Sequence, residues 1–357
     1  MQKIKAEIHL GNIRRNAEKF SALTGEKICA VVKANAYGHG AEEVVNALEG
    51  IVDQFAVAII EEGLSIRTAA CGKDVLVFTP PLSEEEAYAL AVNEFIASVS
   101  DLWTAKLVSR VCRKRRLPLK VHLKINTGMN RYGMNLSMLG KVCKFLSGDP
   151  FVRVVGIYSH LYCCETETAI GQRELFARAV AVCKRYFPSV IAHLGGTYAA
   201  LCDEKFAFDM IRIGIGLYGY LPQGLCGEEK CRADGLNLQK GMTVYAMNVV
   251  NRKISYGGFG YGKPRTEAEI KETKRLSVCR FGYADGFLRK RVNGVCDQQE
   301  NVNALCMDVC LRKNGKQRGQ KVLIMSDADE VAKATGTISY EVLCAATRRA
   351  EFVYDNE

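Results

Sequence analysis

The sequence has no run of about 18 consecutive apolar residues, the length a helix needs to span a bilayer, so no membrane-crossing helix and no membrane partner are expected. It has no CxxC pair, although it carries 15 cysteines. The nearest approaches to a motif are the adjacent Cys163 and Cys164 and the CMDVC spacing of Cys306 and Cys310. Neither matches zinc-ligand spacing, and no metal is expected. The opening MQKIKAEIHLGNIRR is charged and lacks the apolar stretch of a secretory signal. Free thiols without such a signal suggest the reducing cytoplasm. Low-complexity tracts are absent too, which sets disorder aside. The charge is lopsided, 49 Lys and Arg against 39 Asp and Glu, a net +10. The basic residues are scattered and their clusters short (113–116 and 289–291), which argues against nucleic acid. A dispersed positive surface suits small anions such as phosphates and carboxylates.

What is present is regular. At 357 residues, 48% of them hydrophobic, the chain is long enough for two domains. Strand candidates recur as ICAVVKA, FAVAII, DVLVFTP, EFIASVS, LKVHLKI, VRVVGIYSH, VIAHLGG and MIRIGIGLYG. Between them lie segments with apolar residues at helical spacing, such as EEVVNALEG and DLWTAKLVSRVCRKR. This alternation predicts an α/β fold with a parallel sheet. Eight such units suit a TIM (β/α)8 barrel over residues 10–230; a doubly wound sheet fits the periodicity equally well. In either fold, ligands bind at the carboxyl ends of the strands. Beyond about residue 230 the texture changes. TVYAMNVVNRKIS, TKRLSVCRFGYADGF, NALCMDVCL and QKVLIMS read as strands separated by glycine-containing turns. They predict a mainly β domain over 231–357, joined by an N-terminal strand within 1–9.

Lys33 follows ICAVV directly, at the end of the first barrel strand. A lysine there is either a solvated loop residue or an amine able to form a Schiff base with an aldehyde cofactor. Tyr37 lies about a helical turn later. In MIRIGIGLYG, Arg212 falls on one face, and Gly214 and Gly216 let a ligand approach the backbone. Arg212 equally suits an internal ion pair. Lys124 ends the fifth strand in LKINTGMNRYGM, and Arg131 follows in the loop, suited to a substrate carboxylate or to a structural partner. His160 in IYSHL ends the sixth strand, with both structural and catalytic readings open.

VVKANAYGHG, KINTGMNRYGM, IRIGIGLYG, ISYGG, FGYADGF and LCMD stand in the order found in alanine racemases, and the chain resembles that family over essentially its full length. The resemblance implies a barrel that binds pyridoxal 5′-phosphate (PLP), followed by a β domain, in a homodimer with shared active sites. It implies racemisation of a small amino acid, most simply L-alanine to D-alanine; a serine racemase or another barrel-type PLP racemase is the alternative. Lys33 matches the lysine that carries PLP and acts as one base. Tyr256 in ISYGG matches the second base, given to the partner's site. Arg212 matches the arginine facing the pyridine nitrogen, and His160 falls near the cofactor ring. Tyr37, Thr197, Gly214 and Ile215 fall where the family binds the phosphate. Arg131, Tyr283 and Met307 fall where it holds the substrate carboxylate, Met307 through its backbone. Lys124 matches a lysine that is often carbamylated.

Three positions depart from the family pattern. HLGGTYAA has Gly196 where many members have asparagine, and Thr197 in place of serine. Asn126 stands where an aspartate is common, which alters the charge expected near Lys124. Eight residues after Tyr340 of TISYEVLCAATRR, where many members have a tyrosine beside the substrate, stands Arg348.

Overall fold

A computed structural model describes residues 4–70, 72–163, 166–202, 206–222, 233–289, 305–313 and 317–356. The anticipated Cys164 and most of the basic cluster at 289–291 lie outside the described residues. The chain forms two compact units, one of residues 13–36 and 41–239, the other of residues 1–12, 37–40 and 240–357. The chain opens with β1 (Lys5–His9) and α1 (Leu10–Thr24).

The unit of residues 13–36 and 41–239 has eight parallel strands. These are β2 (Lys27–Val31), β3 (Gln54–Val57), β4 (Asp74–Val77), β5 (Ile96–Val99), β6 (Leu119–Lys124), β7 (Val152–Tyr158), β8 (Ile191–His193) and β9 (Met210–Ile213). All eight coincide with the sequence candidates. β3, β5 and β9 are buried at every position, as expected of strands covered on both faces. Parallel neighbours need crossovers, supplied in part by α2 (Lys33–Gly38), α3 (Ala41–Leu48), α4 (Ile60–Ile66), α5 (Glu84–Val92), α6 (Leu102–Arg115), α7 (Leu136–Ser147) and α8 (Thr166–Lys184), with α9 (Thr197–Cys202) after β8. Ser83 caps α5 by accepting from Glu86 N–H, and Asp101 caps α6 by accepting from Thr104 N–H.

The strand order is β8-β7-β6-β5-β4-β3-β2-β9. β8 and β9 then meet at an irregular seam, where Asp209 N–H donates to Ala192 O (2.9 Å) and Arg212 N–H to Gly195 O (3.1 Å). β2 has a neighbour on each side and the ends of the order touch, so the sheet is a near-closed barrel rather than a doubly wound sheet. The seam is irregular because β8 is only three residues long and runs straight into Gly195 and Gly196.

The other unit centres on β10 (Met242–Lys253), twelve residues long. It pairs antiparallel with β1, β11 (Arg275–Cys279) and β13 (Lys321–Met325); β12 (Cys310–Lys313) extends the sheet beyond β11, and β14 (Glu351–Asp355) lies parallel to β1. The N-terminal strand is therefore part of this sheet. Register shifts at Val244/Tyr245 and at Asn248/Val250 accompany the change of partners along β10. Two differences from the sequence reading stand out. The segment NALCMDVCL is a strand only from Cys310; Met307 lies before it, in a turn where Cys306 N–H donates to Val309 O (3.1 Å). Residues 303–304 lie outside the described residues. Helices Glu267–Thr273, Ala328–Thr335 and Ser339–Ala346 were not anticipated, because seven or eight residues are too few for a clear helical period.

The segment after Lys33 is strained. Ala34, Asn35, Ala36 and Tyr37 all have φ between 52° and 53°, so α2 is a left-handed turn. That conformation costs an L-residue about 1–2 kcal/mol. Side-chain acceptors hold its first half: Glu62 Oε1 takes the Ala34 N–H (2.7 Å) and Asn35 Oδ1 takes the Ala41 N–H (2.8 Å). The turn ends at Gly38 (φ 81°), whose carbonyl accepts from the Thr347 hydroxyl (3.1 Å), and where any Cβ would strike Leu343 O. Gly38→Ala should lower unfolding stability by about 2 kcal/mol or more, combining the left-handed penalty with a backbone clash. Urea unfolding measures it, and an unchanged midpoint would refute the strain argument.

Candidate active site

Arg212 is buried on β9, at 4% exposure. β9 pairs with β2, the strand that leads to Lys33, in the register Cys29 with Arg212. Isolated, such a cation is costly. The guanidinium resolves this through neutral acceptors. Nη1 donates to His193 Nδ1 (2.8 Å) and His193 O (3.0 Å); Nη2 donates to Ser159 O (2.6 Å), Leu194 O (2.9 Å) and His160 Nδ1 (3.3 Å). These carbonyls lie at or just after the ends of β7 and β8, and His193 O also accepts from Ser159 N–H (3.2 Å). Among the described residues no carboxylate faces Arg212, and burial lowers its pKa to about 10, so it remains a cation at neutral pH.

A second buried cation stands nearby. Lys124 ends β6 at 7% exposure, with Nζ 4.7 Å from the centre of the Tyr158 ring; the Arg212 guanidinium lies 5.5 Å from the same ring. Burial, then Arg212 and Arg131, hold the Lys124 amine well below the usual lysine range, favouring the neutral amine. Burial likewise holds His160 well below the usual imidazole range, followed by the fields of Arg212, Lys124, Arg131 and Lys33. The fold thus brings those five predicted residues into one electrostatic neighbourhood. Arg131 lies in an exposed loop and lines a cavity of about 610 Å³ with Ser100, Asp101, Asn126 and Tyr132.

Thr197 opens α9 and accepts the Gly216 N–H (3.3 Å), in the turn Ile215–Tyr218 that follows Gly214. The three phosphate candidates Thr197, Gly214 and Ile215 are therefore neighbours. Gly216 has no room for a Cβ, which would strike Phe20 and Thr197. The fourth candidate, Tyr37, is grouped with the other unit. Its ring centre lies 6.1 Å from that of Tyr340, and burial raises its pKa, keeping the phenol a donor.

Tyr283 and Met307 are joined through the backbone. Tyr283 N–H donates to Cys306 O (3.0 Å) and Ala284 N–H to Met307 O (3.0 Å). Arg349 braces this pair of segments by donating to buried Asp285 (2.7 Å) and to Asp308 (2.9 Å). Arg348 beside it is exposed. Tyr256 is 86% exposed, and among the described residues it has no hydrogen-bond partner.

The departures acquire physical readings. Asn126 does not chiefly alter charge. Its Oδ1 accepts from Gly128 N–H (3.0 Å) and Asn130 N–H (3.1 Å), and its amide donates to Asn130 Oδ1 (2.8 Å), a bond an ionised aspartate lacks the donor to make. At Gly196 a Cβ would meet only His160 Cε1 and Arg212 O, each at 3.5 Å, so the glycine leaves room that a side chain can fill. Sequence reasoning missed His122 and His193. Their signal was a histidine inside an otherwise apolar strand, in LKVHLKI and VIAHLGG. Both are buried, and burial followed by Arg212 depresses both, His122 to about 3 and His193 well below the usual range.

Residues 8–222 match the family model of the alanine racemase N-terminal domain, and residues 243–354 that of the alanine racemase C-terminal domain. The alanine racemase of Synechocystis sp. is 32% identical, over 98% of this chain and 98% of that protein. That of Lactobacillus delbrueckii subsp. bulgaricus is 32% identical over 98% and 97%. Among solved structures, alanine racemase of Clostridium difficile 630 superposes with a TM-score of 0.88 at 28% identity, over 100% of this chain and 96% of that one.

Two buried neutral histidines make a testable signature. Their folded pKa values lie below the unfolded value of about 6.5, so the unfolded chain binds protons that the folded chain does not. Stability is complete above about pH 6.5 and falls as the pH drops below it, by up to about 1.4 kcal/mol per pH unit for each of His122 and His193. Urea midpoints should fall on acidification from pH 7 to pH 5, and less steeply in His122→Asn; identical slopes in the two proteins would refute this.

Proposed function

The chain belongs to the alanine racemase family, and on that premise we propose that it interconverts L- and D-alanine with two opposed bases, Lys33 and Tyr256 of the partner subunit, in a cytoplasmic homodimer with shared active sites. The family is pyridoxal-phosphate dependent. Bound PLP supplies an electron-withdrawing ring that makes the substrate Cα–H acidic. The residues present fit that group. Lys33 offers an amine to its aldehyde, Arg212 a donor-only guanidinium to its ring nitrogen, and Thr197, Gly214, Ile215 and Tyr37 donors to its phosphate.

The observation that carries this reading is the buried Arg212 with neutral partners alone. A carboxylate in its place would share a proton with the ring nitrogen. Arginine does not give up its proton, so Arg212 would meet the ring nitrogen as a donor alone and would not supply it a proton. Lys33 Nζ takes or returns the proton on one face, and Tyr256 Oη does so on the other. Arg131 would hold the substrate carboxylate by paired N–H bonds; the family resemblance assigns Tyr283 and the Met307 backbone to the same carboxylate.

Lys124 fits carbamylation. Its depressed pKa provides the neutral amine that adds to CO2, releasing one proton. The resulting anion would position Arg131. The alternative reading is a serine racemase, favoured by Arg348, which replaces a tyrosine of the family pattern with a longer polar side chain.

Three variants test the reading. Arg212→Glu should slow racemisation at least tenfold and introduce transamination, detected as pyridoxamine phosphate; intact racemisation without that product refutes the role of Arg212. Tyr256→Phe should slow abstraction from one enantiomer far more than from the other, read by solvent deuterium entry into each. Equal rates both ways remove Tyr256 from the mechanism. Lys33→Ala should abolish the borohydride-sensitive visible absorbance after PLP reconstitution.

A further inference from the structure

Behind Arg212 lies a chain of buried imidazoles that the proposed mechanism does not use. Arg212 Nη1 meets His193 Nδ1 at 2.8 Å, and His193 Nε2 meets His122 Nδ1 at 3.0 Å. A guanidinium only donates. His193 Nδ1 must therefore accept, and in a neutral ring this places the proton on Nε2. Nε2–H then donates to His122 Nδ1, which leaves the His122 proton on its own Nε2. One donor-only residue thus dictates the tautomers of two histidines in series.

The fold makes space for this arrangement. His122 lies opposite Gly156 on β7, immediately after a register shift at Val121/His122. A Cβ at Gly156 would occupy the imidazole's position, striking Nε2, Cδ2 and Cε1 of His122. Tyr158 lies parallel to the His193 ring, with 5.1 Å between centres and 7° between planes, and its hydroxyl is tied to Ser98 at 2.6 Å. Packing therefore fixes the ring planes, and hydrogen bonds fix the protons.

We propose that His193 and His122 are positioning residues for Arg212, two imidazoles each held as the Nε2–H tautomer, which seat the guanidinium without giving it a negative partner. A carboxylate in place of His193 would hold the arginine as firmly, but it would cancel the charge presented to the ligand. A lone histidine would hold it less firmly, because its ring could turn over and present N–H to N–H. His122 removes that freedom by requiring a donor at His193 Nε2. This inference rests on the reading of Arg212 as the residue facing the cofactor ring.

Histidine 15N spectra of the protein, with and without PLP, test it. His122 and His193 should both appear as neutral Nε2–H tautomers that do not titrate between about pH 6 and pH 9. In His122→Leu, His193 should lose its single tautomer, and the dissociation constant for PLP should rise about tenfold, as expected for a weakened hydrogen bond to a charged group. His122→Asn places Oδ1 where Nδ1 stood and should restore both. Gly156→Ala displaces the ring without removing a polar group and should mimic His122→Leu. An Nδ1–H tautomer at His193 in the unaltered protein overturns the proposal, as does a His122→Leu variant with unchanged tautomer and PLP binding. Arg212→Leu separates the two levels. Weakened PLP binding there, with His122→Leu unaffected, refutes the histidine chain alone; unaffected binding in Arg212→Leu refutes the underlying reading and the chain with it.

Discussion

A guanidinium surrounded by carbonyls and imidazoles, with no acid among the described residues facing it, is the constraint on which the barrel's interior depends. Arg212 gathers the Ser159, His193 and Leu194 carbonyls at the ends of two neighbouring strands. A buried carbonyl without a partner is costly; His193 O also accepts from Ser159 N–H (3.2 Å), while Ser159 O and Leu194 O take their donors from Arg212. The same contacts that complete the barrel therefore oblige a positive charge to remain inside it. Removing the charge would leave unsatisfied acceptors, and neutralising it with a carboxylate would displace them.

The local electrostatics follow from burial and then from that charge. Burial disfavours the charged form of an imidazole or a lysine, and a nearby cation adds to the effect, as the depressed values of His122, His160, His193 and Lys124 indicate. The interior is consequently rich in neutral bases and ready to receive anions, a combination suited to a phosphorylated cofactor and an amino-acid carboxylate. The strained left-handed turn beside Lys33 belongs to the same design. Four non-glycine residues with positive φ persist only where surrounding groups over-determine them, and Glu62, Asn35 and Thr347 do so here.

Much of this was legible in the residue order. The eight barrel strands stood out because parallel strands buried on both faces are continuous apolar runs, and Lys33, Lys124, His160 and Arg212 stood out as polar residues at or near their ends. The short helices near the C-terminus were not legible, because one or two turns carry too little periodicity. Met307 was misplaced in a strand for a related reason: CMDVC is apolar enough for a strand, but a backbone turn from Cys306 to Val309 takes its hydrogen bonds. Asn126 looked like a change of charge until its amide was seen bonding around its own loop, a role that depends on geometry rather than residue type.

The sequence by itself determined the alternation of strand and helix, the placing of chemically able residues at strand ends, and the motif order that marks the family. These follow from local patterns of hydrophobicity, which the chain carries whether or not it is folded. Only the tertiary structure decided that the sheet closes, that Arg212 is surrounded by neutral acceptors rather than paired with an acid, and that His193 and His122 stand behind it. Those outcomes depend on which groups far apart in the chain come within 3 Å, and on burial that makes a charge expensive. No window of sequence contains either quantity.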